Sequence, residues 1–356
     1  MEKLVSKLKM EKTNKEKVLN SLEILRIRDL QSGNPKDKFS ALAYTKAIKE
    51  LKTVKSIASL KDVEDVKGVG KKIKEKIKEI LETGELEAAT KAMSELKIDV
   101  YQDLLKIQGV GPVKAKELID KHSIKSIDDL RKRYEKEDLL NDVQKKGLKY
   151  YDDSLERIPR AEMVEHEKKI LSVIKTPIEA IIVGSFRRNA ETSGDIDVLI
   201  KAPESYTKKQ MKETFESIVK AYEDENYLID ILALGEKKCM GYVKLDTTSK
   251  VRRLDLLITP EKEYPYAILY FTGSDLFNVA FRKFALSKGY TINEHTMKKT
   301  RESVEDVPDM KTEKDIFKFL QLKYVEPINR KDETSIVEKE KITLKNIIEK
   351  KKKLKK

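Results

Sequence analysis

One cysteine, Cys239, stands in a chain of 356 residues, so no disulfide can form within it. That excludes the disulfide-stapled secreted class and fits a reducing intracellular compartment. Histidine is nearly as scarce: His122, His166 and His295 are scattered. No Cys/His cluster with metal-ligand spacing is present, and each histidine reads as a surface or structural residue rather than a general base. No apolar stretch approaches the roughly 20 residues needed to span a bilayer. The chain is charged from Glu2 onward and lacks the apolar core of a signal peptide. The expectation is a soluble, intracellular protein, in a nucleus or at a viral cytoplasmic replication site.

Charge is abundant. Lys and Arg number 75 against 62 Asp and Glu, a net +13. The excess favours a polyanionic partner, most simply nucleic acid. A lysine-rich composition from an AT-rich genome produces the same excess, so charge alone does not decide. The length allows two or three domains. Residues from about 15 to 158 carry helical patterns broken by short glycine-containing turns. Strand-like runs extend from about Glu179 to Ile258, and a mostly helical segment follows from about Pro265 to Lys323. Helices first and a sheet later indicate separate domains in an α plus α+β arrangement. The last residues are nearly all lysine, the pattern of a solvated tail.

Three acidic positions carry the chemistry. Asp195 and Asp197 stand two apart in an apolar run that reads as a strand, so both carboxylates leave the same face. Asp255 lies in a second apolar run, Leu254 to Ile258, able to lie beside the first. Three carboxylates at one point repel each other unless divalent cations lie among them. Mg²⁺ prefers oxygen ligands and shares them with substrate phosphates, and two such ions can clamp an in-line phosphoryl displacement. Gly184-Ser185 follows the strand-like run 180–183. A turn there, leading into a helix start, lets backbone N–H groups approach an anion, and Arg188 is placed to neutralise a triphosphate. A lone Asp-x-Asp or a lone Gly-Ser is ordinarily a strand end or a loop; the joint pattern is what points to a site.

The helical half contains two related segments. Val66-Lys67-Gly68-Val69-Gly70-Lys71 resembles Ile107-Gln108-Gly109-Val110-Gly111-Pro112. Each is an apolar helix end, a Gly-x-Gly turn and a new basic helix. Glycine permits backbone shapes closed to other residues, and the next helix start can hold a DNA phosphate. This is the helix-hairpin-helix pattern, which grips backbone without reading bases. Hairpins of this type often hold a monovalent cation on backbone carbonyls. By position these are Glu64, Val66 and Val69, and Leu105, Ile107 and Val110.

Assembled, these residues resemble the family X DNA polymerases, in the branch of polymerases beta and lambda. The likeness runs from about residue 20 to 330. It includes residues 184–200, Arg252 to Leu256, Tyr270-Phe271-Thr272-Gly273-Ser274-Asp275, and Glu313 to Phe317 with Lys323-Tyr324. The resemblance implies an α+β multidomain fold: a flexible N-terminus over 1–14, a lyase domain over 15–95 with the first hairpin, and a DNA-binding helical subdomain over 96–158 with the second. A nucleotidyltransferase palm with a mixed sheet follows over 159–262, then an α/β nucleotide-selecting subdomain over 263–330 and a basic tail over 331–356.

It also implies roles. Asp195, Asp197 and Asp255 would be ligands of two Mg²⁺ ions, with Mn²⁺ a substitute. Asp255 would help deprotonate the primer 3′-hydroxyl, with Arg253 beside it at the DNA. Ser185, Arg188, Gly194 and Arg157 would hold the triphosphate. Tyr270, Phe271 and Gly273 would line the sugar, their backbone crowding a 2′-hydroxyl. Asp275 would stack on the incoming base, Asn278 would bond its minor-groove edge, and Arg282 would touch the template. Ordinary core packing is the plain reading of Tyr270 and Phe271; the neighbouring Thr-Gly-Ser-Asp displaces it.

A second chemistry is implied in the basic helix after the first hairpin. Lys72 and Lys76, four apart, share a face. A solvated basic face is the plain reading. In the family, the lysine matching Lys76 forms a Schiff base with 5′-deoxyribose phosphate, crowded by ammonium groups that favour the neutral amine. Lys72 and Lys38 match phosphate contacts and Tyr44 an aromatic near the pocket. Ser40 and Ala88 stand where family members carry basic residues, Asn189 replaces a glycine, and His295 stands where the beta branch has tyrosine. None of these is a metal ligand.

The expected function is therefore gap-filling DNA synthesis in base excision repair, with 5′-deoxyribose-phosphate lyase activity, on gapped or nicked DNA and dNTPs, by a monomer. A DNA ligase and an abasic-site endonuclease are the implied partners. The short connection from about Asp246 to Lys250 points to templated synthesis, since members that extend ends without a template carry a longer insertion there. No third carboxylate cluster suggests proofreading. The rivals are an end-joining polymerase, for which no BRCT-like domain precedes residue 20, a non-catalytic DNA-end binder, and a nucleotidyltransferase acting on RNA or a small molecule.

Overall fold

The computed structural model describes residues 13–32, 34–95 and 98–339; the lysine-rich end of the tail and the residues before Thr13 lie outside the described residues. The chain divides into two compact units between Tyr151 and Asp152. No helix among the described residues is long and apolar enough to cross a membrane.

The first unit is helical: α1 (Asn14–Gln31), α2 (Pro35–Thr53), α3 (Lys71–Thr83), α4 (Glu87–Glu95), α5 (Ile98–Leu105), α6 (Pro112–Asp120), α7 (Ile127–Arg133) and α8 (Asp142–Lys149). Local chemistry sets the starts. Thr13 and Glu16 form a reciprocal cap on α1, and Asn34 caps α2 ahead of Pro35. In α3 the spacing of Ile73, Ile77 and Ile80 buries one stripe and leaves lysines outside. That stripe joins Leu22, Leu25 and Leu51 in one core.

The boundary falls after the first residue of α9 (Tyr151–Leu155), and the second unit continues with β1 (Ile158–Pro159) and α10 (Arg160–Val173). Next come β2 (Glu179–Ile182), the one-turn helix α11 (Gly184–Arg187), β3 (Thr192–Ser193), β4 (Ile196–Ala202), α12 (Lys208–Asp224), β5 (Leu228–Leu234), β6 (Lys238–Val243) and β7 (Arg252–Pro260). Five strands make a mixed sheet in the order β2-β4-β7-β6-β5, in which β4 and β7 are parallel and the other neighbours antiparallel. β1 and β3 pair separately.

Alternation decides which face does what. Ile196, Val198 and Ile200 of β4 and Leu254, Leu256 and Ile258 of β7 pack with Ile170, Phe215 and Tyr222 of α10 and α12. The intervening positions fall on the other face. There Leu199 packs with Val183, Ala267 and Ile268, and there Asp197 and Asp255 project. Past β7 come α13 (Tyr264–Thr272), α14 (Asp275–Ser287), the hairpin β8 (Tyr290–Ile292) and β9 (Met297–Lys299), and α15 (Glu313–Phe319), then two short 3-10 turns at Pro327–Asn329 and Glu333–Ser335. These elements share a core of Phe277, Phe281, Phe317 and Leu320. The architecture is the expected α+β arrangement, helical hairpins followed by a mixed-sheet region and an α/β end.

Candidate active site

Asp197 and Asp255 are register partners on the parallel pair β4 and β7. Asp195 stands one residue before β4, in the bend that Gly194 opens, rather than inside the strand. Arg253, two residues before Asp255 on the same face of β7, binds the Asp195 carboxylate and reaches Asp255 Oδ1 at 3.9 Å. Lys238 of β6 lies 3.8 Å from the other Asp255 oxygen. Lys238 was not legible as a site residue, because only the pairing of β6 with β7 brings it there.

The electrostatics follow from crowding. Burial, then the charges of Asp195 and Asp255, push the Asp197 carboxyl up to about 7. Burial also raises Asp255, against the pull of Arg253 and Lys238. Burial works against the Arg253 charge, but Asp195, Asp255 and Asp197 outweigh it and hold that guanidinium above its ordinary value. Asp255 Oδ1 is buried with no hydrogen-bond partner among the described residues. An oxygen-only, partly desolvated donor set of this kind suits a hard divalent cation. Among the described residues no three acidic, His or Cys side chains already close into a cage; Asp195 turns onto Arg253 instead.

The Gly184 turn presses against these acids. A Cβ placed on Gly184 would lie 2.6 Å from Asp197 Oδ2, so only glycine brings this backbone so near the carboxylate. The Val183 N–H donates to the Asp197 carbonyl at 2.8 Å, tying turn to strand. The Ser185 hydroxyl bonds that of Ser193 at 2.9 Å. Arg157 donates to the Thr192 hydroxyl at 2.6 Å and its carbonyl at 2.7 Å, beside Gly194. Arg188 donates to the Thr272 carbonyl at 2.6 Å. Burial lowers the pKa of Arg188, with Asp275 and Asp197 opposing. Ser185, Arg188, Gly194 and Arg157 thus border one edge of the acidic face.

The end of α13 and the start of α14 adjoin that edge at Arg188. The Asn278 amide donates to the Tyr270 carbonyl at 2.7 Å, and the Arg282 guanidinium stacks over the Tyr270 ring at 5.2 Å. Phe271 meets Tyr270 edge-on. Gly273 lies against Arg188, where a Cβ would come within 3.3 Å of its guanidinium. Asp275 is exposed at the start of α14, capped by Ser274.

Arg187 opens a polar network whose pairings the sequence alone did not reveal. Arg187 donates to the Thr272 hydroxyl at 2.6 Å and to Glu313 at 2.8 Å. Glu313 also accepts from Arg330 at 2.9 Å and from the Tyr324 hydroxyl at 2.7 Å. Burial disfavours the Glu313 charge, yet the two arginines overcome it and hold the carboxyl at about 2. Arg187 and Arg188 therefore tie the Gly184 turn to the end of α13.

In the helical unit both hairpins have the same shape. Gly68 and Gly109 have φ of +87° and +86°, a region open to glycine. A Cβ on Gly109 would meet Val143 at 2.9 Å, and its carbonyl accepts from Gln144 at 3.0 Å. Gly70 and Gly111 start α3 and α6 with no side-chain cap. Of the carbonyls assigned to a cation, Glu64 accepts from the Lys74 ammonium at 2.7 Å, Val66 from Val69 N–H at 3.1 Å and Ile107 from Val110 N–H at 3.0 Å; Leu105 precedes the second turn. Lys72 is exposed and Lys76 half-buried on α3; Lys38 is exposed and Tyr44 buried on α2. The first hairpin rests on α2 at Lys46 and Ala47.

Comparison with known proteins gives four matches in chain order. Residues 13–86 match a helix-hairpin-helix domain, 102–155 the fingers domain of DNA polymerase lambda, 157–261 the DNA polymerase beta palm, and 267–331 the DNA polymerase beta thumb. The chain is 33% identical over 312 residues to DNA polymerase lambda of Rattus norvegicus, covering 83% of this chain and 53% of that protein. It is 29% identical over 285 residues to DNA polymerase lambda of Arabidopsis thaliana, covering 74% and 52%. It is 29% identical over 300 residues to DNA nucleotidylexotransferase of Xenopus laevis, covering 74% and 58%. The chain thus spans about half the length of the curated relatives it matches.

Proposed function

The chain belongs to DNA polymerase family X, and we propose that it is a DNA-directed DNA polymerase that fills short gaps in repair. One observation carries the reading: two half-buried carboxylates, Asp197 and Asp255, stand side by side on parallel strands with Asp195 and Arg253 against them. Asp195, Asp197 and Asp255 would hold two Mg²⁺ ions, or Mn²⁺ in their place. When bound, such ions offset charge on the transferring phosphoryl group and on the attacking and leaving oxygens.

The chain's own residues do the rest. Arg188, Arg157, Ser185 and the Gly194 backbone bind the triphosphate, and pyrophosphate leaves along that border. Asp255 accepts the primer 3′-hydroxyl proton, and Arg253 keeps the acids from repelling one another. The backbone of Tyr270, Phe271 and Gly273 crowds out a 2′-hydroxyl. Asp275 and Asn278 orient the incoming base, and Arg282 leaves the Tyr270 ring to meet the template. Gly68, Gly70, Gly109 and Gly111 hold DNA phosphates, with a monovalent cation on the hairpin carbonyls. The partners in this reading are gapped or nicked duplex, a ligase and an abasic-site endonuclease, with the protein a monomer.

The lyase function belongs to the same reading. Lys76 attacks the aldehyde of 5′-deoxyribose phosphate, with Lys72, Lys38 and Tyr44 around it. Support comes from the half-buried position of Lys76 on a lysine-rich face.

A template-independent activity is the second reading, since one relative is a DNA nucleotidylexotransferase. The connection between Val243 and Arg252 favours templated synthesis: it is short, and Asp246 folds it on itself by bonding Thr248 and Ser249. The test is incorporation on a gapped duplex, a blunt duplex and a single strand. Template-directed addition that is strongest at the gap supports the proposal. Equal addition to single strands, or none to any substrate, contradicts it.

A further inference from the structure

Arg252 precedes Arg253 in β7 but points to the opposite face and is only 4% exposed. Its guanidinium is engaged on every side. It donates to both Glu162 oxygens, at 2.6 and 2.8 Å, to the Glu156 carbonyl at 3.0 Å, and towards that of Asp153 at 3.5 Å. The Val251 N–H donates to the Asp153 carboxylate at 2.8 Å, and Lys250 pairs with Glu156. Three consecutive residues at the start of β7 thus grip residues 153–156.

The next residue along that strap is Arg157, which leans on Thr192 beside Gly194. Beyond it, Ile158 and Pro159 pair with Ser193 and Thr192. The strap is therefore held by β7 on one side and by the Gly194 bend on the other. A buried ion pair is a poor way to gain stability, since desolvation offsets its attraction. What an arginine fork supplies, and an apolar side chain cannot, is simultaneous donation to a carboxylate and to backbone carbonyls. Glu162 is itself backed by His166, whose Nε2 lies 3.6 Å away.

The geometry points to Arg252, with Glu162, as a positioning residue for Arg157: it sets the strap from which Arg157 reaches the Gly194 bend. Arg252 thereby governs how tightly the nucleotide triphosphate is held without touching it. This rests on the triphosphate role proposed above for Arg157.

The experiment compares the wild type with Arg252→Lys, Glu162→Gln, Arg157→Ala and the Arg252→Lys/Arg157→Ala pair. Single-nucleotide insertion on a gapped duplex is measured, with amide hydrogen exchange of residues 153–160 in the same proteins. Arg252→Lys keeps the charge but loses the fork. It should raise KM for dNTP roughly tenfold and change kcat far less, and add nothing once Arg157 is Ala. Strap exchange should quicken in Arg252→Lys and Glu162→Gln. Unaltered KM, KM effects that multiply in the double variant, or a fall in kcat alone overturns the proposal. Should the wild type incorporate no nucleotide, the polymerase reading falls by itself, and exchange decides the clamp: quickened exchange supports it, unchanged exchange overturns it.

Discussion

Asp197 and Asp255 sit directly opposite each other, in register, on adjoining parallel strands, and their backbone pairing fixes the distance between the carboxylates. Packing forces this closeness, since the alternate residues of both strands are committed to the core behind. The result is a carboxyl at Asp197 that ionises only near pH 7. Stability from this group is fully present below its unfolded value of 3.8 and lost as pH rises through about 7. A divalent cation reverses that loss by binding the ionised form. Mg²⁺ should raise Tm, and by more above pH ~7 than below it. Asp197→Asn should flatten the pH dependence and abolish most of the Mg²⁺ shift. A Tm insensitive to Mg²⁺ in the wild type would contradict this.

Gly184→Ala tests how closely the Gly184 turn must approach the acids. The added methyl would crowd the Asp197 carboxylate. With φ at +59°, the backbone penalty is about 1 kcal/mol before any clash. The fold should survive, while kcat/KM for dNTP should fall roughly a hundredfold through misplacement. Activity within a factor of a few of wild type would show that the turn does not contact substrate.

Glu313 predicts an acid limb. Its carboxyl is held at about 2 by Arg187 and Arg330, against 4.5 unfolded. The corresponding stability, about 3 kcal/mol at most, is present above pH 4.5 and lost as pH falls towards 2. Glu313→Gln should lower stability at neutral pH and flatten that limb in urea melts across the acid range. Because Arg187 then loses its charged partner, KM for dNTP should also rise. An acid limb unchanged in slope would remove Glu313 from the account.

Lys76→Ala tests the lyase proposal separately. Borohydride trapping on incised abasic DNA should fall to background while gap filling persists. Undiminished trapping would mean that another amine forms the Schiff base.

Much of the site was legible because its chemistry is local. Gly184-Ser185 marks a turn by its residue types, and strand alternation puts Asp197 and Asp255 on the face away from the core. The paired Gly-x-Gly turns were legible for the same reason, since the +86° backbone at Gly109 is a local demand. What stayed hidden depends on which distant segments meet. Lys238 reaches Asp255 only through the register of β6 with β7. Arg187 finds Glu313 126 residues away, and Arg252 finds Glu162 across 90. No periodicity marks such partners. Asp195 lies outside β4 because Gly194 bends the chain just before it, a break that the apolar pattern does not reveal.

The most direct measurement is Mg²⁺-dependent extension of a gapped primer by the wild type and by Asp255→Ala, with DNA affinity determined for both. The account predicts that extension is lost, by roughly a thousandfold or more, while binding to gapped DNA is kept. Extension by the variant at a rate near that of the wild type would contradict it.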